Sequence, residues 1–463
     1  MFGLKARSLD QRHFLDKILI FSKIGKSRFF KSYRAIWLEA CLRLTPEPRT
    51  SLLRFADAVI LIGSLVICSH DHAAAQTGSR VFRAQNPAVP VNWALPPLRD
   101  LPGNGLARTP PMGWASYNKF GLAVDENLIR AVADSLVTTG MRDAGYVYLE
   151  IDDGWQGERE TDGVLRPNGG FQDMKALSNY IHSKGLKLAL YSSPGPKSCG
   201  GFEGSYGHED QDAQTFAAWG VDYLKYDWCS ASTIYSRADE MRAVYQKMGE
   251  ALRATGRPIV YSLCQYGIFK VWQWGPKVGG NLWRTTHDIK DNWKSMSDIG
   301  FSQDGLESYA GPGHWNDPDM MEVGNGGMTI EEYRTHMTLW VILAAPLLVG
   351  NDPRTMTNDI KEILLNREVL AVNQDTLGKQ GRRLIRNGAA EIWAKPLSDE
   401  AVAVALFNRG ASLARVSVRW SELGLNGRYR ARDLWKRVDL PDATDGYSAE
   451  VPSHGSALLR ITK

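Results

Sequence analysis

The sequence predicts an α/β protein in which a (β/α)8 TIM barrel is followed by a C-terminal antiparallel β-sandwich domain. Three observations lead to this fold class. Short apolar segments alternate eight times with helix-like stretches across residues 106–378. Nearly every apolar segment ends in polar residues, as barrel strands do where they reach the catalytic face. From about Gly381 the pattern changes to short alternating strands separated by Gly, Asn, Asp and Pro.

Residues 1–75 form a leader ahead of the barrel. Arg54, the apolar run Phe55–Cys68 and the small residues Ala73–Ala75 have the order of a secretory signal peptide, although the run begins far from Met1. We therefore expect the true start near residue 50 and a secreted or periplasmic protein, with no membrane contact beyond the signal peptide. The alternative is a membrane-anchored basic leader. Residues 76–105 are rich in Pro and predict an extended linker.

The composition is that of a globular protein with ample material for a core. Of 463 residues, 43% are hydrophobic and 23% are charged. The formal charge of +4 arises in the first fifty residues, and the remainder of the chain is slightly acidic, so we expect no nucleic-acid partner. The 15 Trp and 17 Tyr would suit sugar rings, although aromatic residues more often belong to the core.

The barrel assignment depends on eight strand segments and the helices between them. The strands are predicted at Met112–Tyr117, Tyr146–Ile151, Leu186–Tyr191, Tyr223–Tyr226, Ile259–Leu263, Leu282–Thr286, His314–Pro318 and Pro346–Val349. The helices are predicted at Asp125–Thr139, with Asp125 as N-cap, Phe171–Ser183, Asp210–Trp219, Ser236–Thr255 and Ile330–Leu343. A doubly wound open sheet is the main alternative. It would need a Gly-rich phosphate loop after the first strand, and Gly113-Trp114-Ala115-Ser116 is not one.

The last domain, residues 379–463, is expected to be antiparallel and to pack on the edge of the barrel. Its predicted strands are Ala389–Lys395, Ala401–Asn408, Ala414–Trp420, Tyr429–Asp433 and Ala457–Thr462.

Polar residues collect at the ends of six successive barrel strands. These ends are Asp152-Asp153, Tyr191-Ser192, Lys225-Tyr226-Asp227, Cys264-Gln265-Tyr266, Arg284 to Asp288, and Asp317-Pro318-Asp319. Any one of them alone is as well explained by a turn or a cap. Because the carboxyl ends of barrel strands share one face, their joint arrival predicts an active site there.

Several carboxylates on one face suit glycoside hydrolysis, in which one carboxylate is the nucleophile and another the acid/base. Asp227 is the candidate nucleophile, since the neighbouring Lys225 favours its ionised form. Asp288, which follows Arg284 and lies across the barrel mouth, is the candidate acid/base.

Metal ligands and cofactor motifs are not evident in the sequence, so we expect neither a metal nor a cofactor. The five cysteines form no CxxC pair and no His/Cys cluster. This argues against a metal-dependent barrel hydrolase. In an oxidising compartment Cys199 and Cys229 become candidates for a disulfide.

Five ordered motifs resemble glycoside hydrolase family 27, the melibiase-type family of α-galactosidases and α-N-acetylgalactosaminidases. They are Pro111-Met112-Gly113-Trp114, Ile151-Asp152-Asp153-Gly154-Trp155, His182-Ser183-Lys184-Gly185-Leu186-Lys187, Trp219 to Asp227, and Gly311 to Met320. The likeness runs from about Leu106 to the C-terminus.

The resemblance implies a retaining double displacement with Asp227 as nucleophile and Asp288 as acid/base. It implies that Asp152 and Asp153 hold the axial 4-OH and the 6-OH of galactose. It also implies the remaining substrate-binding residues, Trp114, Tyr191, Cys199, Lys225, Arg284 and Asp319, and a disulfide between Cys199 and Cys229.

This chain departs from the family pattern after the fifth strand. Many relatives carry Cys-Glu-Trp where this chain has Cys264-Gln265-Tyr266, and Trp228 replaces a smaller residue after the nucleophile. We expect Gln265 to contact the sugar 2-OH and the bulk of Gln265 and Tyr266 to exclude an acetamide at C2.

The predicted function is an exo-acting α-galactosidase whose partner is a carbohydrate with terminal α-galactosides, such as a galacto-oligosaccharide or galactomannan. Alternatives within the family are β-L-arabinopyranosidase, α-N-acetylgalactosaminidase and isomalto-dextranase. A non-catalytic carbohydrate-binding protein would need neither Asp227 nor Asp288.

Overall fold

The computed structural model describes residues 91–463. The predicted signal peptide and the rest of the leader lie outside these residues. Residues 91–105 contain no helix or strand and run along the outside of the barrel. There the Asn92 amide donates to the Gly207 carbonyl at 3.0 Å, and the Leu101 amide donates to the Lys277 carbonyl at 2.7 Å.

Within residues 91–463, ten strands and nine α-helices precede the C-terminal sheet. The strands are β1 Met112–Ala115, β2 Tyr148–Ile151, β3 Gln156–Arg159, β4 Leu165–Pro167, β5 Lys187–Ser192, β6 Tyr223–Asp227, β7 Val260–Cys264, β8 Leu282–Arg284, β9 Trp315–Asp317 and β10 Leu347–Val349. The helices are α1 Tyr117–Phe120, α2 Glu126–Thr138, α3 Met174–Ser183, α4 Glu209–Trp219, α5 Ala238–Ala254, α6 Trp293–Phe301, α7 Ile330–Ile342, α8 Asn358–Leu364 and α9 Arg367–Asn373.

Eight of these strands form one parallel sheet in the order β10-β1-β2-β5-β6-β7-β8-β9. An isolated parallel bridge between Met321, just after β9, and Val349 of β10 joins the two ends of the sheet. The (β/α)8 barrel is therefore confirmed, and each of its eight strands overlaps a predicted segment. Between β1 and β2 the backbones approach so closely that a Cβ at Gly113 would lie 2.2 Å from the Tyr148 carbonyl oxygen.

The side chains of β6 alternate between the barrel interior and the surrounding helices, as the period of a strand requires. Tyr223 belongs to the apolar layer inside the barrel. Leu224 and Tyr226 belong to the core between the strands and the helices. Lys225 and Asp227 share the parity of Tyr223, so their charges lie inside the barrel at its open end.

Several helices around the barrel, among them α2, α3, α6 and α7, begin at side-chain caps. As predicted, Asp125 caps α2, accepting a hydrogen bond from the Leu128 amide at 2.8 Å. Thr329 and Glu332 form a reciprocal capping box at the start of α7. The sequence missed α6, which has nine residues and carries Gly300 next to its last residue, and the β3–β4 hairpin, whose strands are only three or four residues long. Among residues 91–463, no helix combines the length and the apolar character that crossing a membrane requires.

The C-terminal region forms the predicted antiparallel β domain. Its strands are β11 Arg382–Asn387, β12 Ala390–Pro396, β13 Val402–Asn408, β14 Ala414–Arg419, β15 Arg430–Asp433, β16 Val438–Asp439, β17 Gly446–Val451 and β18 Ser456–Thr462. They form a six-stranded sheet in the order β11-β12-β13-β18-β15-β16 and a second sheet of β14 and β17.

The six-stranded sheet is covered on both faces. On β13, Ala403, Ala405 and Phe407 join the core shared with the barrel helices. Val404 and Leu406 join the separate core between the two sheets. This double burial explains why β13 is almost entirely apolar, as strands buried on both faces are.

Candidate active site

A cavity of about 560 Å³ opens at the carboxyl ends of the barrel strands. Its position is the one in which barrel enzymes build their sites. The residues lining it are Tyr117, Asn118, Lys119, Asp152, Asp153, Tyr191, Cys199, Lys225, Asp227, Tyr266, Arg284, Asp288, Ile289, Lys290, Asp291, Asp319, Met320, Glu322 and Asn325. Nine of the eleven residues predicted to be catalytic or to bind substrate are thus brought together.

Asp227 lies at the end of β6 and is 6% exposed. Its Oδ1 accepts a hydrogen bond from the Tyr266 hydroxyl at 2.8 Å, and its Oδ2 accepts one from the Tyr191 hydroxyl at 3.2 Å. Burial raises the pKa of Asp227, while Lys225 and the Tyr266 hydrogen bond act in the opposite direction. The sequence predicted that Lys225 lowers the pKa of Asp227 but did not predict the larger increase caused by burial.

Lys225 connects the nucleophile candidate to the Asp152-Asp153 pair. Its Nζ donates to Asp152 Oδ2 at 2.7 Å and lies 3.9 Å from Glu150 Oε1. Asp153 Oδ2 accepts from the Gly200 amide at 2.5 Å, whereas its buried Oδ1 has no hydrogen-bond partner among residues 91–463. A buried carboxylate oxygen without a partner is costly, so Asp153 is suited to accept a hydrogen bond from a bound hydroxyl.

On the opposite wall, Arg284 bridges two carboxylates. Its guanidinium lies 2.8 Å from Asp319 Oδ2 and donates to Asp288 Oδ1 at 3.0 Å. The Asp319 side chain is 4% exposed, whereas that of Asp288 is 73% exposed. Asp288 therefore stands at the mouth of the cavity, in contact with solvent.

The predicted disulfide between Cys199 and Cys229 is confirmed, with 5.0 Å between the two Cα atoms. It links the loops after β5 and β6, and Cys199 lines the cavity. The two sulfur atoms lie within 4.8 Å of a carboxylate oxygen of Asp227. The covalent link thus fixes the loops beside the nucleophile candidate.

Two of the predicted binding residues, Trp114 and Gln265, do not line the cavity. Trp114 is fully buried in the core outside the strands, where its indole N–H donates to the Asn351 carbonyl at 2.6 Å. Gln265 is also fully buried, and neither amide atom has a partner among residues 91–463. Tyr266 takes the place in the cavity wall that the sequence assigned to Gln265.

The sequence did not single out several lining residues, which lie in the short helix α1 and in the loops after β8 and β9. They are Tyr117, Asn118, Lys119, Ile289, Lys290, Asp291, Met320, Glu322 and Asn325. Their positions just after β1, Asp288 and Asp319 are the only signal that could have found them, because loop residues follow no hydrophobic period.

Glu322 is the most perturbed of these, since burial raises its pKa to about 7. Asn118 and Asn325 donate to its two oxygens, the latter at 2.6 Å, and Asp291 and Asp319 add negative charge nearby. A pKa above the usual value of 4.5 means that the folded state favours neutral Glu322. Its stabilising contribution is therefore complete below about pH 4.5 and is lost as pH rises through about 7.

Between pH 5 and pH 8 the free energy of unfolding of the native chain should fall as Glu322 ionises. In Glu322→Gln we expect that fall to be smaller by about 2–3 kcal/mol. Asn325 Oδ1, which has no partner among residues 91–463, can accept from the new amide after the Asn325 side chain flips. Urea unfolding at the two pH values measures the difference. The exposed Glu362 of α8 supplies the matched control, Glu362→Gln, and an equal change in both variants would contradict the assignment.

Comparison with known proteins agrees with this geometry. Residues 109–375 match the family described as alpha galactosidase A, and residues 387–461 match the alpha galactosidase C-terminal beta sandwich domain. An α-galactosidase of Cyamopsis tetragonoloba is 45% identical over 408 residues, which cover 87% of this chain and 98% of that protein.

Solved structures agree as well. Alpha-galactosidase I of Mortierella vinacea has a TM-score of 0.75 and 38% identity, covering 78% of this chain and 98% of that chain. The α-galactosidase of Saccharomyces cerevisiae with raffinose has a TM-score of 0.72 and 26% identity, covering 78% and 99% of the two chains.

The barrel, the acidic cavity at its carboxyl end and the C-terminal β domain define a glycoside hydrolase. The chain belongs to glycoside hydrolase family 27, the melibiase-type α-galactosidases.

Proposed function

We propose that this protein is an exo-acting, retaining α-galactosidase that releases terminal α-D-galactose from galacto-oligosaccharides or galactomannan. The observation that carries the proposal is the arrangement of Asp227, Asp152, Asp153 and Lys225 around one cavity, with Asp288 at its mouth. The relatives named above are themselves described as α-galactosidases, which supports the same activity here.

In this proposal Asp227 is the nucleophile. It is buried at the end of a rigid strand, and two tyrosine hydroxyls hold its carboxylate in place. Burial makes the carboxylate a stronger base, while Lys225 keeps the ionised form accessible. A poorly solvated anion held in fixed orientation is suited to attack the anomeric carbon.

Asp288 is the proposed acid/base. The leaving group of an exo-acting enzyme departs toward solvent, and the exposed Asp288 carboxyl lies on that side of the cavity. There it can protonate the departing oxygen and then take a proton from the incoming water. Retention requires the Asp227 and Asp288 carboxyl groups to lie about 5–5.5 Å apart when substrate is bound.

Asp152 and Asp153 are the proposed ligands of the galactose 4-OH and 6-OH. Asp152 already accepts from Lys225 and from the Asp153 amide at 2.7 Å, so its orientation is fixed. Asp153 Oδ1, which has no hydrogen-bond partner in the described part of the chain, is available to a sugar hydroxyl. Tyr191, Lys225 and Cys199 complete this wall, and Arg284 and Asp319 form the opposite one.

The proposal includes export to an oxidising compartment. The Cys199–Cys229 disulfide supports it, since such bonds persist outside the reducing cytosol. Mass spectrometry of the mature N-terminus tests it, and recovery of a peptide from residues 10–40 would contradict the predicted cleavage.

A panel of nitrophenyl glycosides tests the substrate. We expect kcat/KM for the α-galactoside to exceed that for the α-glucoside by about 30- to 150-fold, because a lost hydrogen bond to a buried charge costs about 2–3 kcal/mol. We expect weak action on the β-L-arabinopyranoside. We expect none on the α-N-acetylgalactosaminide, whose exclusion now depends on Tyr266 rather than Gln265.

Asp153→Asn should lower the ratio of kcat/KM for the α-galactoside to kcat/KM for the α-glucoside. The exposed Asp210 of α4 gives the matched control Asp210→Asn, which should leave it unchanged. Hydrolysis of the N-acetyl substrate at the rate of the galactoside would overturn the proposed specificity.

A further inference from the structure

Tyr266 makes the shorter of the two side-chain hydrogen bonds to Asp227, at 2.8 Å. Its ring contacts two residues from the neighbouring strand β8 and the loop after it. The His287 ring stacks on it with 6.0 Å between centroids and 18° between planes, and the Arg284 guanidinium lies 5.7 Å from its centroid. The hydrogen bond to Asp227 and the packing of the ring together fix the orientation of the Tyr266 side chain.

The backbone at Tyr266 is in the left-handed region, with φ of 64°. Bulky residues adopt this conformation at a cost, and such residues cluster at functional sites. The turn is closed by Gly267, whose amide donates to the Arg284 carbonyl at 3.1 Å. A Cβ at Gly267 would lie 2.3 Å from the Thr285 carbonyl oxygen, so the turn admits only glycine there. This turn buries Gln265 and places Tyr266 over the cavity.

Several other charged and titratable groups face Asp227. Lys225 shares its strand, Asp152 directly follows β2, Tyr191 lies on β5, Cys264 on β7 and Arg284 on β8. Asp288 and His287 face Tyr266 itself. Removing the Tyr266 hydroxyl alone would leave all of these in place.

We propose that Tyr266 is a positioning residue of this enzyme, whose hydroxyl orients the Asp227 carboxylate and stabilises it as it leaves the sugar. The inference rests on the proposed role of Asp227 as nucleophile. In the first step Asp227 forms a bond to the anomeric carbon, and the aglycone departs with a proton from Asp288. In the second step water attacks that carbon, its proton passes to Asp288, and the bonding electron pair returns to Asp227. Tyr266 transfers no proton.

A hydrogen bond to Asp227 acts oppositely on the two steps. It makes the carboxylate a weaker nucleophile in the first step and a better leaving group in the second. Removing it should therefore slow breakdown of the glycosyl-enzyme relative to its formation. It should also raise the pKa of Asp227, because the hydrogen bond favours the ionised form.

Tyr266→Phe tests this with an activated aryl α-galactoside. We expect kcat and KM to fall together, about tenfold, with kcat/KM much less affected, and the pre-steady-state burst of nitrophenolate to grow. The acidic limb of kcat/KM should move to higher pH by a few tenths to about one unit, since Asp227 must be ionised to attack.

Tyr245→Phe is the matched control. The Tyr245 hydroxyl donates to the Cys264 carbonyl of β7 at 2.9 Å and to the Tyr226 carbonyl of β6 at 3.2 Å. These contacts lie on the side of the strands away from the cavity. Loss of the Tyr245 hydroxyl should lower Tm and leave the acidic limb and the burst unchanged. If Tyr266→Phe behaves in the same way, or lowers kcat and kcat/KM equally with no shift in pH, the role proposed for Tyr266 is wrong. Turnover by Asp227→Gly would instead refute the proposed nucleophile.

Discussion

Asp227→Gly should lower kcat at least about 10⁴-fold on every α-galactoside, because the double displacement loses its nucleophile. The fold should survive the change. The substitution removes a carboxylate whose burial raises its pKa, and it leaves the Tyr191 and Tyr266 hydroxyls facing a space that water can occupy. Circular dichroism and Tm check the fold.

Azide provides the decisive readout for this variant. The anion can enter the space vacated by the carboxylate and attack the anomeric carbon from the face that Asp227 used. The product should be the galactosyl azide of inverted configuration, which NMR identifies. Asp227→Asn is the matched control, because its amide fills the space and should permit no rescue. A product of retained configuration would exclude Asp227 as the nucleophile.

The sequence located the barrel and most of the cavity because both depend on short-range patterns. Each barrel strand is an apolar run, and each run ends in the residues that the fold carries to one face. Lys225 and Asp227 follow directly from the alternation within β6, since their parity is that of the buried Tyr223. The antiparallel strands with clear alternation, such as β14, were found for the same reason.

What the sequence missed depends on contacts distant along the chain. β17 was overlooked because Gly446–Val451 is mostly half-buried and, within residues 91–463, pairs with the single strand β14. The sequence around Glu322 does not show that burial and the nearby Asp291 raise the pKa of its side chain. Tyr266 rather than Gln265 lines the cavity because the backbone at Tyr266 has a positive φ angle. Residue propensities do not predict this conformation for a tyrosine.

Asp288→Ala should affect substrates according to their leaving groups. Loss of the general acid should lower kcat/KM about 10²–10⁴-fold for alkyl and sugar α-galactosides, whose leaving oxygens must be protonated. Dinitrophenyl α-galactoside should lose far less, since its leaving group departs as a stable anion. Asp291, a second carboxylate in the cavity wall, supplies the control Asp291→Asn. It is held by the Gly327 amide and the Tyr333 hydroxyl, at 2.5 and 2.9 Å, so its loss should affect both substrates equally.

Azide should distinguish Asp288 from Asp227 by stereochemistry. In Asp288→Ala the nucleophile remains, so the glycosyl-enzyme forms and azide then attacks it in place of water without needing a general base. Two inversions give a galactosyl azide of retained configuration, the opposite of the product expected from Asp227→Gly. The exposure of Asp288 at the cavity mouth makes this attack sterically open. If both variants gave the same anomer, or if Asp288→Ala lost equal activity on both classes of substrate, one carboxylate would have been assigned the wrong role.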